Sequence, residues 1–200
     1  MKKQKEFFEK LAQEWDREHQ TEEEVDRTIR FARRYLPVSA GERILDIGCG
    51  TSRLVPHIIE NIGDNGVLIE MDFSIEMLKI GRDRYRIPNV FFVQGDGHVL
   101  PLKQYSLDKV ICMAFFPHLL DKQSAVKGFA SVLKSGGRLL IAHQMMREEL
   151  NHFHGRVNGP VNNDLLPDEG NMKSMLETGG FREIEFKEEP GLYLVTAVRE

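Results

Sequence analysis

One stretch, Arg43-Ile-Leu-Asp-Ile-Gly-Cys-Gly-Thr-Ser52, constrains this chain more than any other. Ile44, Leu45 and Ile47 form a short apolar run, the pattern of a parallel strand buried on both faces. Gly48 and Gly50 follow at once, and Leu54, Val55, Ile58, Ile59 and Ile62 then recur on one helical face. Strand, glycine turn and helix in this order belong to an open α/β sheet, where ligands sit beyond the carboxyl ends of the strands. Glycine lets the backbone approach a ligand that a side chain would hold off. The stretch therefore builds a nucleotide-type pocket. Taken alone, the same glycines also suit an ordinary tight strand–helix turn.

The kind of nucleotide follows from two residues. A dinucleotide turn has glycine or alanine at its sixth position, where pyrophosphate meets the helix N-terminus. Here that position is Arg53. Asp46 stands two residues before the first glycine, where a carboxylate repels phosphates and suits an ammonium or sulfonium charge. Both residues disfavour a nicotinamide dehydrogenase. The ten residues resemble the first motif of the class I S-adenosylmethionine-dependent methyltransferases, in which Asp-x-Gly-x-Gly opens the cofactor site. Ser52 stands where that family often has a third glycine. The resemblance implies S-adenosylmethionine as cofactor, with Asp46, Gly48, Cys49 and Gly50 around it.

Two helical patterns precede this motif. Phe7, Phe8, Leu11, Ala12 and Trp15 share one face; Val25, Ile29, Ala32 and Leu36 share another, ended by Pro37. They either cover a sheet edge or, in the methyltransferase reading, make residues 1–37 a lid over the site with Trp15 against the substrate. The second strand, residues 67–71, leads into Asp72-Phe73-Ser74. Asp72 lies 22 residues after Gly50. At about that distance a carboxylate accepts two hydrogen bonds from the ribose diol; the alternative is a turn or capping residue. Ser74 is an N-cap. Glu70 is a second acid on the same face, set further from the strand end. The third strand, residues 90–93, ends at Gly95-Asp96-Gly97-His98. There an acid accepts from the adenine amine and Gly97 admits the base, although a plain turn fits as well.

The fourth strand, residues 107–113, runs into Ala114-Phe115-Phe116-Pro117-His118. A helix through Ala125, Val126, Phe129 and Leu133 is expected to stop at a glycine cap, Ser135-Gly136-Gly137. A fifth strand over 138–142 ends at His143. A helix over 171–178 and strands over 181–186 and 192–198 complete the chain, the last two as an antiparallel hairpin. From about Phe7 onward the motifs Asp72-Phe73-Ser74, Gly95-Asp96, Leu107-Asp108-Lys109-Val110 and Leu133-Lys134-Ser135-Gly136-Gly137-Arg138 stand in the order of the methyltransferase family. The match resembles the branch that includes the ubiquinone/menaquinone methyltransferases. It implies an α/β, Rossmann-like fold: a seven-stranded, mostly parallel sheet with helices on both faces, in one domain over residues 1–200. It also implies that Phe73, Asp96, Gly97 and Met113 flank the cofactor.

Composition narrows the rest. A net charge of −4 gives no general reason to bind nucleic acid. No apolar run reaches the roughly 18 residues of a membrane span, and the charged N-terminal stretch lacks the apolar core of a signal peptide. Cys49 and Cys112 suggest neither a disulfide framework nor a zinc site. A cytoplasmic location is expected, and the oligomeric state is left open.

The substrate side excludes two chemistries. Base-amine methyltransferases carry Asn/Asp-Pro-Pro-Tyr after the fourth strand, where this chain has Ala-Phe-Phe-Pro-His. Cytosine C5 enzymes need a cysteine after a proline there, and Cys112 lies inside the strand. Residues 144–171 form a long connection, expected to cover the substrate. A helix over 146–154 capped by Gly155 puts Asn151 and His154 on one face. His152 and His154 diverge, so no metal site is expected. The reading is methyl transfer to a small molecule. His118, His143 and His154 are the candidate acid–base residues, with His143 and His154 facing the acceptor. Trp15, Phe115, Phe116 and Asn151 are expected to bind it. The alternative is a non-catalytic S-adenosylmethionine-binding scaffold.

Overall fold

Each apolar run becomes a strand, and most helical patterns carry the chain back across a sheet. In the computed structural model, which describes residues 2–19 and 21–200, the chain runs α1 (Lys2–His19), α2 (Glu22–Tyr35), β1 (Arg43–Ile47), α3 (Val55–Ile62), β2 (Val67–Asp72), α4 (Ile75–Arg84), β3 (Val90–Gln94) and β4 (Leu107–Met113). It continues through α5 (Lys122–Val132), β5 (Leu133–His143), α6 (Arg147–Arg156), α7 (Glu169–Thr178), β6 (Phe181–Glu189) and β7 (Leu192–Arg199). The strands lie in the order β3-β2-β1-β4-β5-β7-β6. β7 runs antiparallel to both its neighbours, and the pairs from β3 to β5 are parallel. The order reverses between β1 and β4, which opens a crevice at their carboxyl ends.

Period-two alternation buries both faces of the sheet. Leu45, Ile47, Val110, Cys112 and Ile141 pack with Phe129 and Leu176 on one side. Ile44, Leu68, Ile111 and Leu140 pack with Leu36, Val55 and Ile58 on the other. Asp46 and Glu70 sit directly opposite each other on β1 and β2. The α2 helix starts at Thr21, whose hydroxyl accepts the Glu24 N–H at 3.4 Å, and it contributes Phe31 and Ala32 to the core. The α1 helix lies across the crevice, tied to α4 by the Asp16–Arg84 ion pair at 2.7 Å.

Two boundaries differ from expectation. The α5 helix ends at Val132, before Ser135-Gly136-Gly137, because Leu133 already pairs with Leu107. Lys134–Gly137 then loop out as a bulge before Arg138 pairs with Lys109. Gly136 turns there with φ +76°, and Lys134 Nζ closes onto Asp108 at 2.6 Å. Gly155 does not cap α6 but lies inside it, and the helix ends at Arg156. Its N-terminus is closed by Glu149, whose carboxylate accepts the Met146 N–H at 3.0 Å. No helix among the described residues is long and apolar enough to cross a membrane.

Candidate active site

The glycine turn is held from both strands. The N–H groups of Gly48 and Cys49 donate to the Met71 carbonyl at 2.8 and 3.2 Å. Asp72 Oδ2 accepts the Gly50 N–H at 3.0 Å, and Oδ1 accepts the Ser74 N–H at 2.8 Å. Asp72 thus organises the turn and keeps lone pairs for a ligand, since each carboxylate oxygen accepts more than one bond. Gly48 has φ +69°, and a Cβ there would overlap the Phe115 ring. Gly48→Ala therefore meets two costs: about 1–3 kcal/mol of backbone strain and displacement of Phe115. The expected result is a lower melting temperature together with weaker S-adenosylmethionine binding; a variant matching wild type in both scans would show that the turn tolerates a side chain.

The crevice has two lobes that share Gly48, Asp72, Phe73, Phe115 and His118. One also holds Asp96 and Gly97 and has a cavity volume of about 480 Å³. The other, about 90 Å³, adds Asp46, Cys49, Gly50 and Met113, with Phe8 and Trp15 from α1 and Thr28 and Arg53 beside them. In the larger lobe Asp96 Oδ1 accepts the His98 N–H at 3.0 Å and bonds His98 Nδ1 at 2.6 Å. His98 Nε2 accepts the Asp121 N–H at 3.1 Å, so its proton sits on Nδ1. Burial pushes the Asp96 carboxyl up, but the His98 bonds more than offset this and hold it low. Oδ2 is left for a ligand.

Three acids crowd the carboxyl ends of β1 and β2. Asp46 is pushed up to about 7, first by burial and then by the Asp72 carboxylate, while Arg53 pulls it back. Asp72 is pushed up to about 6 by burial, against the Ser74, Gly50 and Phe73 N–H groups. Glu70 is 0 % exposed, and neither carboxyl oxygen has a hydrogen-bond partner among the described residues. Burial, then Asp46, pushes it well above the carboxylate range. Folding raises these values, so between about 4 and 7 the folded chain binds more protons than the unfolded one. That makes the acids' contribution to stability fall as pH rises through this window. Glu70→Gln removes one latent charge. It is expected to stabilise the ligand-free protein at pH 8 by about 1–3 kcal/mol, with the gain shrinking toward pH 4. Urea titrations across that range check it; a pH-independent difference, or a less stable variant at pH 8, would contradict it.

The histidines separate into distinct roles. His118 lines both lobes, and its Nδ1 bonds Asp164 Oδ2 at 2.7 Å. An ionised carboxylate only accepts, so Nδ1 carries the proton and Nε2 offers its lone pair. Asp164 is 5 % exposed. Gln4 Nε2 of α1 donates to its two oxygens at 3.3 and 3.0 Å, and Phe8 stands edge-on to the His118 ring at 5.1 Å. His154 lies behind His118, ring centres 5.2 Å apart, and its Nδ1 donates to the Asp164 carbonyl at 2.6 Å. His143 is 3 % exposed. Burial, with His118 and His154 nearby, pushes it down to about 3.

Four expected site residues are therefore placed elsewhere. His143 and His154 do not line either lobe; they sit behind the His118 wall because their strand and helix pack beneath it. Phe116 is fully buried in the core while Phe115 faces the crevice, since adjacent residues entering the short 3-10 turn Phe116–His118 point apart. Asn151 clamps the Leu166 backbone instead of facing the crevice, donating to its carbonyl at 3.1 Å and accepting its N–H at 2.8 Å. Conversely, Gln4 and Thr28 line the lobes and Asp164 bonds His118, although no local pattern marks these three for it. Asp164 is 46 residues from His118, and no spacing rule joins two loops.

The donor set fits S-adenosylmethionine. Two acids, Asp46 and Asp72, line the same lobe as one guanidinium, Arg53, and the cofactor offers a sulfonium and an ammonium against a single carboxylate. Comparison with known proteins agrees. A family model described as a methyltransferase domain matches residues 44–137. The ubiquinone/menaquinone biosynthesis C-methyltransferase of Idiomarina loihiensis is 30% identical over 181 residues, covering 77% of this chain and 72% of that protein. A SAM-dependent methyltransferase structure from Thermotoga maritima aligns with TM-score 0.72 at 22% identity, over 96% of this chain and 98% of that one. A Haemonchus contortus phosphoethanolamine N-methyltransferase in complex with S-adenosylhomocysteine aligns with TM-score 0.71 at 15% identity, over 92% and 59%. The two structures speak for the fold alone. A sequence relative this similar over most of both chains carries the assignment further: this is an enzyme that uses S-adenosylmethionine, and it belongs to the class I S-adenosylmethionine-dependent methyltransferases.

Proposed function

We propose that the protein methylates a small-molecule acceptor whose proton passes to His118 Nε2. One observation carries this: an imidazole at the crevice wall, its tautomer fixed by Asp164 at 2.7 Å. When bound, the cofactor supplies an electrophilic methyl group on its sulfonium. Phe8, Trp15, Phe73 and Phe115 exclude water from the reacting centre. His118 accepts the acceptor's proton, and the Asp164 carboxylate stabilises the imidazolium that forms. Residues 1–37 act as a lid in this reading. The lobe beneath α1 is narrow, and the Gln4–Asp164 and Asp16–Arg84 contacts latch it, so α1 lifts to load the cofactor. Residues 144–171 cover the acceptor side, with Asp164 as their contribution. A cytoplasmic location goes with this reading, supported by two cysteines that are both free.

The relative's name puts quinol-type rings first among acceptors to try. The test is incubation of the protein and S-adenosylmethionine with a metabolite extract, followed by mass spectrometry. The expected result is one small molecule heavier by a methyl group, with S-adenosylhomocysteine formed in equal amount. Cofactor binding without turnover would favour the scaffold alternative, and methylation confined to protein or nucleic acid would overturn the acceptor class.

A further inference from the structure

Glutamines are mostly exposed, yet Gln4, in the first turn of α1, is 5 % exposed. Its Nε2 meets three acceptors: the two carboxylate oxygens of Asp164, at 3.3 and 3.0 Å, and the His118 carbonyl, at 3.4 Å. All three only accept, so the nitrogen end of the amide is the end that points inward. Asp164 Oδ2, which takes the shorter of the two carboxylate bonds, is also the atom bonded to His118 Nδ1 at 2.7 Å. Among the described residues no other group donates to this carboxylate. Lys122 feels its charge, but Lys122 Nζ donates to the Pro117 and Leu119 carbonyls at 2.9 and 2.8 Å. His154 holds only the Asp164 backbone, through its carbonyl.

A carboxylate held at its backbone still turns about its own side-chain bonds. The imidazole fixes one oxygen, and only the Gln4 amide fixes both. Without that amide Oδ1 is left in a buried place with no donor, so the group turns toward water. His118 Nδ1 then loses its acceptor, and the proton of the neutral ring is free to move to Nε2, which closes the lone pair that faces the crevice. We propose that Gln4 is a positioning residue for proton transfer: α1, in its closed place, locks the Asp164 carboxylate onto His118, so the base is complete only beneath the closed helix. This rests on the reading of His118 as the base and adds the residue that ties closure to chemistry. The other end of α1 reaches the cofactor side. Asp16 pairs with Arg84, whose Nη1 donates to the Thr51 carbonyl in the glycine turn at 3.3 Å, and Phe8 rests on Phe73 at 5.8 Å. One helix thus spans both halves of the crevice, and the base is set as the cofactor is covered.

The ring itself can be read without knowing the acceptor. Nitrogen NMR of the full chain, labelled at histidine and bound to S-adenosylhomocysteine, reports which imidazole nitrogen carries the proton. The seven histidines are sorted by the signals missing in His118→Ala. Wild type is expected to show His118 protonated at Nδ1. Gln4→Met keeps the length of the side chain and removes the donor, and it is expected to move a measurable share of the proton to Nε2. Asp16→Asn breaks the other tie of α1 and should leave the tautomer as in wild type. With the acceptor from the screen, Gln4→Met is expected to lower kcat about 10-fold, the worth of a hydrogen bond to a charged group, and to weaken S-adenosylmethionine binding by less. An unmoved tautomer in Gln4→Met, or a loss confined to cofactor affinity, would make Gln4 a latch only and overturn the proposal while the base stands. Full activity in His118→Ala would instead reject the base, and the proposal with it. If Gln4→Met does not fold, Gln4→Ala removes the same donor and favours the helix, and the same outcomes apply.

Discussion

Replacing His118 by alanine is expected to lower turnover about 10²–10⁴-fold, the usual worth of a positioned acid–base group, while S-adenosylmethionine affinity stays nearly unchanged. The ring stands at the crevice wall with one nitrogen committed to Asp164, so its loss removes a proton acceptor and leaves the cofactor's own contacts in place. Asp164→Asn is expected to lower kcat less than His118→Ala does and to leave KM close to wild type, because it acts through the imidazole. The amide keeps an oxygen for the Nδ1 proton but loses the negative charge that steadies the imidazolium. His143→Ala should leave the chemistry largely intact. That ring is buried away from the crevice and held down at about 3, too weak a base for use near neutral pH. Initial rates of S-adenosylhomocysteine release with the acceptor from the screen decide the matter. Full activity in His118→Ala, or a loss in His143→Ala as large as that in His118→Ala, would move the base elsewhere.

Asp72→Ala is expected to weaken S-adenosylmethionine binding by about 1–3 kcal/mol, which is roughly 10–100-fold. Two effects add. The ligand loses a charged acceptor, and the Gly50 and Ser74 N–H groups lose theirs, which loosens the turn itself. The fold should survive. The same carboxylate is pushed up to about 6 by burial, so removing it relieves a desolvation cost that offsets the two lost bonds. Asp72→Asn separates the two effects, because one oxygen remains to accept a backbone N–H. Calorimetry on a variant with wild-type melting behaviour is the measurement; unchanged affinity there would take Asp72 out of the site.

Much of the cofactor side is legible in the amino-acid sequence. Asp46, Gly48, Gly50, Asp72, Asp96 and Gly97 all stand at strand ends or in the turn just past them. In a parallel sheet those ends share one edge, so residues found by local pattern are brought together by topology alone. Arg53 is legible in part. Its position in the turn excludes pyrophosphate, but its place in one lobe with Thr28 and Asp46 is visible only in the fold.

The acceptor side is not legible in the same way, for a physical reason. His118, Asp164 and Gln4 lie in two separate loops and a helix that precedes the sheet, joined by side-chain bonds across 46, 114 and 160 residues. No periodicity encodes such a meeting. Whether Phe115 or Phe116 faces the crevice turns on the direction of one short 3-10 turn. Whether Asn151 meets a ligand or the Leu166 backbone turns on how the segment after α6 folds back. The sequence by itself determined the strand–turn–helix frame, the sheet class and the acids that stand at its carboxyl edge, because hydrophobic period and glycine placement act within a few residues. Only the tertiary structure decided which histidine faces the crevice, which acid orients it and which buried charges are left uncompensated, because these are set by packing between segments far apart in the chain.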